Sequence, residues 1–371
     1  MAEQALGFLR LTRTEGVGPV TYRRLLARFS GPDEALAALP ALAKSGGRVA
    51  PLNIPSFGEV EREYHAVLTM GGRFLFLDQP GYPEILAELP DAPPAIAVLG
   101  DAGLLHQPGI AIVGARNASA NGLRLATHLS AALASSSLTV ISGLARGIDS
   151  AAHEGALRAG RTIAVIAGGL DIPYPLENKD LQRRIAEKGA VVAEAPLGTA
   201  PMGRHFPKRN RIVAGLCQGV VVIEAAARSG SLLTARLAVE AGREVFAVPG
   251  SPLDPRARGG NDLIRQGAHL TETAEDVLNN LPQHTLLRRT ALTGFSEPPA
   301  LWEDDTASEP DVIQARQIIM TLLGADPVAV DEIARRCQLS MAAIKAAILE
   351  LELAGRLQSL AGDRVAVPED P

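Results

Sequence analysis

From Gly109 to Leu281, short apolar runs alternate with segments of helical period. The runs Ile110–Val113, Thr139–Ser142, Thr162–Ile166, Val191–Glu194, Val220–Glu224 and Glu244–Val248 are rich in Val and Ile and do not alternate with polar residues. Such strands are buried on both faces. The segments between them place apolar residues three and four apart, as amphipathic helices do. The pattern predicts an α/β fold: an extended Rossmann-like, doubly wound parallel sheet. Two more strand-like runs, Arg73–Leu77 and Ile96–Leu99, flank the Pro-rich stretch from Pro80 to Pro94 and read as an extension leading into that sheet.

The flanks follow other patterns. Residues 1–65 read as short helices, with Glu15-Gly16-Val17-Gly18-Pro19 between Leu6–Thr12 and Val20–Phe29. This is a helix-hairpin-helix arrangement whose turn can hold a phosphate, and Arg10, Arg13, Arg23, Arg24 and Arg28 flank it. The same turn also forms for purely structural reasons. Residues 282–310 are acidic, small and proline-rich and read as a linker. Three helical segments and a β-hairpin follow, a winged-helix pattern. Its third helix, from Met341, has one base, Lys345, against Glu350 and Glu352, which favours protein contact or packing over groove reading. The expected domains are therefore 1–68 (helical), 69–281 (Rossmann-like), 282–310 (linker) and 311–371 (winged helix).

Composition narrows the class. The 371 residues are 47% hydrophobic and 21% charged, as in ordinary globular chains. No 18-residue apolar run suggests a membrane span, and the N-terminus lacks the pattern of a secretory signal. Two cysteines are too few for a disulfide framework or a Cys-rich metal site, so a reducing cytoplasm is the expected location. The net charge of −5 is uneven: residues 1–109 carry −3, residues 110–280 carry +4 and the remainder −6.

The motifs for phosphate hydrolysis and metal chemistry are missing. The sequence has no G-x-x-x-x-G-K-[ST], no G-x-G-x-x-G after the first strand, and no H-E-x-x-H, C-x-x-C or G-x-S-x-G. Neither catalytic residues nor a cofactor is expected. Asp149 and His153, four apart on a helix, could form an acid–base pair or simply pack. What remains is a row of Gly- and Ser-rich loops at the carboxyl ends of the strands, where open parallel sheets bind ligands. Gly114 and Arg116 follow the first strand, Ser142 and Gly143 close the second, and Arg228-Ser229-Gly230-Ser231 follows the fifth. The strongest local feature is Gly203-Arg204-His205-Phe206-Pro207-Lys208-Arg209-Asn210-Arg211, which has four fixed cations, an aromatic and no acid. Cations with an aromatic beside an anion-friendly groove suit single-stranded nucleic acid. Asn210 could instead cap a helix starting there, and Arg209 or Arg211 could pair with a buried acid such as Glu194 or Glu224.

In these stretches the chain resembles the DprA/Smf family of DNA-processing proteins. The residues that carry the resemblance are IVGAR (Ile112–Arg116), SGLARGIDSAAH (Ser142–His153), AGGLDIPYPLEN (Ala167–Asn178), FPKRNRIVAG (Phe206–Gly215), ARSGSLLTARLA (Ala227–Ala238) and REVFAVPG (Arg243–Gly250). The resemblance implies a cytoplasmic homodimer, with an N-terminal domain of sterile-alpha-motif or hairpin type. It would bind single-stranded DNA and load the recombinase RecA on it during natural transformation. Carried onto this chain, the DNA-binding residues would be Gly114, Arg116, Ser142, Gly143, Phe206, Lys208, Arg209, Asn210 and Arg211. Family members often have Ser where this chain has Ala115. Replacing Lys208, Arg209 and Arg211 together by Glu should then abolish strand binding and leave the fold intact. The alternatives are a phosphoribohydrolase-like nucleotide enzyme, whose P-G-G-x-G-T loop is missing, and a nucleotide sensor controlling the winged helix.

Overall fold

The computed structural model describes residues 2–282, 308–323, 326–360 and 363–368. The expected linker therefore lies almost wholly outside the described residues. The chain divides into two compact units: residues up to Glu61 with the C-terminal segment, and residues from Arg62 to Thr285.

The first unit begins with α1 (Ala2–Arg13), α2 (Pro19–Arg28) and α3 (Pro32–Ser45). Pro19 and Pro32 stand in the first turns of their helices, where a missing N–H costs nothing. Leu9, Leu25 and Leu39 are fully buried. α4 (Phe57–Thr69) leads into the second unit.

That unit is built on one nine-stranded sheet. Its strands are β1 (Gly72–Phe76), β2 (Ala95–Gly100), β3 (Gly109–Gly114), β4 (Thr139–Ser142), β5 (Thr162–Ile166), β6 (Ala190–Ala193), β7 (Gly219–Ile223), β8 (Glu244–Ala247) and β9 (His269–Leu270). They lie in the order β1-β2-β6-β5-β4-β3-β7-β8-β9. From β6 to β9 every pairing is parallel, whereas β1 and β2 add an antiparallel edge. Between the strands run α5 (Glu84–Ala87), α6 (Ala120–Ser135), α7 (Ile148–Ala156), α8 (Lys179–Lys188), α9 (His205–Gly215), α10 (Gly230–Glu240) and α11 (Arg258–Arg265), and α12 (Ala274–Asn280) follows β9. Strand order reverses at β3, which has β4 on one side and β7 on the other. The crevice at the carboxyl ends therefore opens above β3.

One core packs Ile110, Ile112, Val140 and Val221 against α6 and α7. A second packs Ala164, Ile166 and Val191 against Leu181 and Ile185 of α8. The sheet is thus covered on both faces, as the apolar strand pattern requires.

The C-terminal part of the first unit consists of α13 (Glu309–Leu322), β10 (Val328–Ala329), α14 (Val330–Cys337), α15 (Met341–Leu353), β11 (Gln358–Leu360) and β12 (Arg364–Ala366). The strands form a small antiparallel sheet in the order β10-β12-β11. Ser340 caps α15, its Oγ accepting the Ala343 N–H at 3.2 Å.

Candidate nucleic-acid interface

Two cavities, of about 470 and 570 Å³, open at the carboxyl edge of the parallel sheet. Arg116, Asn117, Ala145, Phe206 and Arg209 line both. Together they make one groove with a shared central wall.

That wall is a stack. The Arg116 guanidinium lies over the Phe206 ring, 5.1 Å from its centroid. Phe206 in turn meets Tyr174 at 5.7 Å between centroids, tilted by 51°. Arg116 is exposed and Tyr174 is 46% exposed, so the rings offer faces to a ligand. Among the described residues, Arg116 forms no ion pair within 4 Å.

The basic run is helical, not a loop. α9 starts at His205, five residues before the expected Asn210. Asn210 is therefore interior and does not cap the helix; its Nδ2 donates to the Gly230 carbonyl at 3.4 Å. Helical spacing then sorts the run. Phe206, Arg209, Asn210 and Val213 recur at i, i+3, i+4 and i+7 and line the larger cavity. Lys208 and Arg211 fall on other sides of α9. Lys208 is exposed and lines neither cavity. Arg211 is held by Glu194 at 2.5 Å and by the Asp91 carbonyl at 2.5 Å, so it ties α9 to the rest of its unit.

Arg209 is only 7% exposed and forms the groove floor. Its Nη1 donates to the Val165 carbonyl at 3.4 Å, and Asp149 supplies the nearby counter-charge. Burial pushes the Asp149 carboxyl up, while Arg209 and the N–H groups of Gly143 (3.1 Å) and Ala145 (3.3 Å) pull it down. A Cβ at Gly143 would lie 1.2 Å from Arg209 Nη1, so any larger residue there must displace the guanidinium.

Ser142 and Gly143, expected strand contacts, have their polar groups engaged within the fold, although Gly143 also lines the smaller cavity. Ser142 Oγ is buried and donates to the Ile112 carbonyl at 2.6 Å, and the Gly143 N–H is spent on Asp149. Both form a supporting layer beneath Arg209. Gly114 lines the larger cavity, but its missing Cβ admits the Ile223 carbonyl and Ile148. Asp149 and His153 do not form an acid–base pair. The His153 Nδ1 meets Thr162 Oγ1 at 2.7 Å, and that hydroxyl donates to the Val140 carbonyl. The network places the proton on Nδ1 and leaves the buried Nε2 unpartnered. Burial, with Arg209 nearby, lowers the His153 pKa to about 3.

Two non-glycine residues at the strand ends have positive φ: Leu144 (55°) and Glu224 (51°). Such backbone persists only when its surroundings fix it. Asn178 Nδ2 fixes the first by donating to the Leu144 carbonyl and to Ser150 Oγ, both at 2.9 Å. Glu224 reaches the N-terminus of α6, where its carboxylate accepts the Ser119 N–H at 2.8 Å and the Ser119 hydroxyl. Gly122 leaves room for it. A carboxylate of the chain thus occupies that helix end.

Tyr174, Arg146 and Leu176 also line the groove, although none was singled out from the sequence. Tyr174 sits in AGGLDIPYPLEN, where its signal was an aromatic between prolines in a loop at the carboxyl edge.

Three family models match the chain: DNA recombination-mediator protein A over residues 73–282, a DprA-like N-terminal HHH domain over 2–66 and a DprA winged helix domain over 303–363. Protein Smf of Synechocystis is 34% identical, with 98% of each chain covered. The DNA processing protein DprA of Streptococcus pneumoniae is 48% identical over 53% of this chain and 70% of its own. A solved DprA structure from that organism superposes with a TM-score of 0.64 at 36% identity, covering 75% of this chain and 97% of the other. DNA processing protein A of Helicobacter pylori, whose structure was described for its single-stranded DNA binding mode, gives 0.51 at 30% identity, covering 58% and 96%. On these grounds the chain belongs to the DprA/Smf family of DNA-processing proteins.

Proposed function

We propose that the groove binds single-stranded DNA with little sequence preference, and that the protein, as a cytoplasmic homodimer, presents the strand to RecA. The observation that carries this reading is the Arg116–Phe206–Tyr174 stack above the buried Arg209. Every base has a π-face, so stacking on such rings is tolerant of sequence and contributes about 1–3 kcal/mol per base. The cations Arg116, Lys208 and Arg228 are exposed and available to phosphates. Three such contacts predict a salt slope of roughly −2, at about −0.7 per contact on a single strand. The exposed apolar residues Val239 on α10 and Leu270 on β9 support self-association.

The nucleotide-enzyme alternative has less support. Glu224 fills the N-terminus of α6, and Asp149 and His153 are bonded to other groups. The role is therefore read as binding without catalysis.

The test is fluorescence anisotropy with labelled oligo-dT against a duplex of equal length, across a salt series. The triple change at Lys208, Arg209 and Arg211 is unsuited to it, since Arg209 is buried and Arg211 is ion-paired inside the fold. Arg116→Glu with Lys208→Glu strikes exposed positions only. Full single-strand affinity in that folded double variant would remove the groove from the site.

A further inference from the structure

The second half of α15 is buried on every side. Ala343, Ile344, Ala347, Ile348 and Leu351 face their own domain's core. Leu349, Glu350, Glu352 and Leu353 lie outside that core, yet none is more than 8% exposed. The N-terminal helices of the same compact unit cover them. At the end of α3, a Cβ on Gly46 would lie 1.9 Å from the Glu350 carbonyl oxygen and 3.0 Å from the Ala354 Cβ. Arg316 on α13 pairs with Glu350 at 2.8 Å and donates to the Ser45 carbonyl.

The polar centre of this contact is Glu352. Its Oε2 accepts from Thr21 Oγ1 at 3.1 Å and from Arg24 at 3.3 Å, and its Oε1 takes the Ser359 N–H at 2.9 Å. Thr21 is only 2% exposed. The Glu352 carbonyl also closes on the hairpin turn, 4.0 Å from where a Gly16 Cβ would be. A winged helix reads duplex DNA through its third helix, and here that helix is covered. The Thr21 hydroxyl and the Arg24 guanidinium beside the hairpin suit a phosphodiester oxygen, and here both bond the Glu352 carboxylate instead.

We propose that Glu352 is an internal substitute for a backbone phosphate. The winged-helix domain closes on the N-terminal hairpin and masks a duplex-DNA site made by Thr21, Arg24 and the turn at Gly16–Gly18; release of α15 opens it. Buried ion pairs cost nearly as much in lost hydration as they return in attraction, so this pair adds little net hold to the closure. A polyanion that reaches Arg24 and Arg28, one helical turn apart on α2, can displace a single carboxylate. This inference concerns the other unit and stands apart from the single-strand groove.

The test uses the full chain. Gly46→Leu is a wedge: its φ of −69° accepts any residue, and the side chain would strike α15. Leu349→Cys reports opening by its reaction with a maleimide, against the buried Cys217 and Cys337. The expected result is slow labelling at position 349 in the parent and fast labelling with the wedge. The wedge should also bind duplex about tenfold tighter, the scale of one or two freed phosphate contacts, and adding Arg24→Glu should remove the gain. Glu352→Gln is a second, independent release and should also tighten duplex binding. Fast labelling in the parent overturns the closure. Unchanged duplex affinity in both folded release variants overturns the masked site.

Discussion

The groove and the hairpin both pair arginines with a carboxylate, with opposite results. In the groove, Asp149 lies beneath Arg209, bonded to Gly143 and Ala145, and the cavity side of Arg209 stays open. At the hairpin, Glu352 lies over Thr21 and Arg24 and closes them. A basic site is therefore defined less by its cations than by where their counter-charge stands. A counter-charge below prepares the site, and one above occupies it.

The largest expected effect breaks the lower layer. Asp149→Ala would leave Arg209 buried without its counter-charge, at a cost of about 3–5 kcal/mol in stability. Gly143→Ala should act in the same direction by expelling the guanidinium. Denaturant melts would measure both, and an unchanged midpoint in either would show that Arg209 does not depend on this layer. Next comes the upper layer. Phe206→Ala should weaken single-strand binding by about 1–3 kcal/mol and barely move the melting temperature, because the ring is only half-buried. Anisotropy and thermal melts on one sample would separate the two.

The alternation of strands and helices made the sheet legible, because apolar strands buried on both faces leave a continuous Val/Ile signature. The sequence also pointed to the groove residues Arg116, Phe206 and Arg209. It misjudged the start of α9, because Phe206-Pro207 reads as loop although proline is tolerated in a first turn. That error placed Lys208 and Arg211 beside Arg209, where helical spacing separates them. Ser142 and Gly143 have the residue types of ligand-binding positions, and the same hydroxyl and glycine N–H bond the Ile112 carbonyl and Asp149 within the fold. The acids in α15 favour packing over groove reading, and the structure buries Glu350 and Glu352. Their partners Thr21 and Arg24 lie more than 300 positions away in the chain, beyond the reach of any local pattern.

The buried layer also sets a pH response. The His153 pKa is about 3 in the fold, against the ordinary value of 6.5. Between these values the unfolded chain takes up a proton that the folded chain refuses. The stabilisation is complete above about pH 6.5 and is lost as pH falls towards 3. Asp149, with its pKa raised, works in the opposite sense above its ordinary value of 3.8 and offsets part of this loss. From pH 7 to pH 5 the net loss should be at most about 2 kcal/mol, since each unit of pH is worth about 1.4 kcal/mol. His153→Gln should flatten the curve of stability against pH. A parallel curve in that variant would assign the acid sensitivity to other groups.

The smallest effect sharpens the comparison most. Lys208 is adjacent to Arg209 in sequence but about 100° away around α9, and it lines no cavity. Among the described residues it forms no ion pair within 4 Å, so it should act as a point charge towards phosphate. Lys208→Ala should weaken single-strand binding by well under 1 kcal/mol at moderate salt, equally for every sequence, and reduce the salt slope by about 0.7. Phe206→Ala should leave that slope unchanged, because stacking releases no counterions. If Lys208→Ala instead matched Phe206→Ala in affinity at high salt, Lys208 would have to enter the groove. The strand path would then run along the exposed face of α9, and the buried Arg209 would serve only to hold that helix in place.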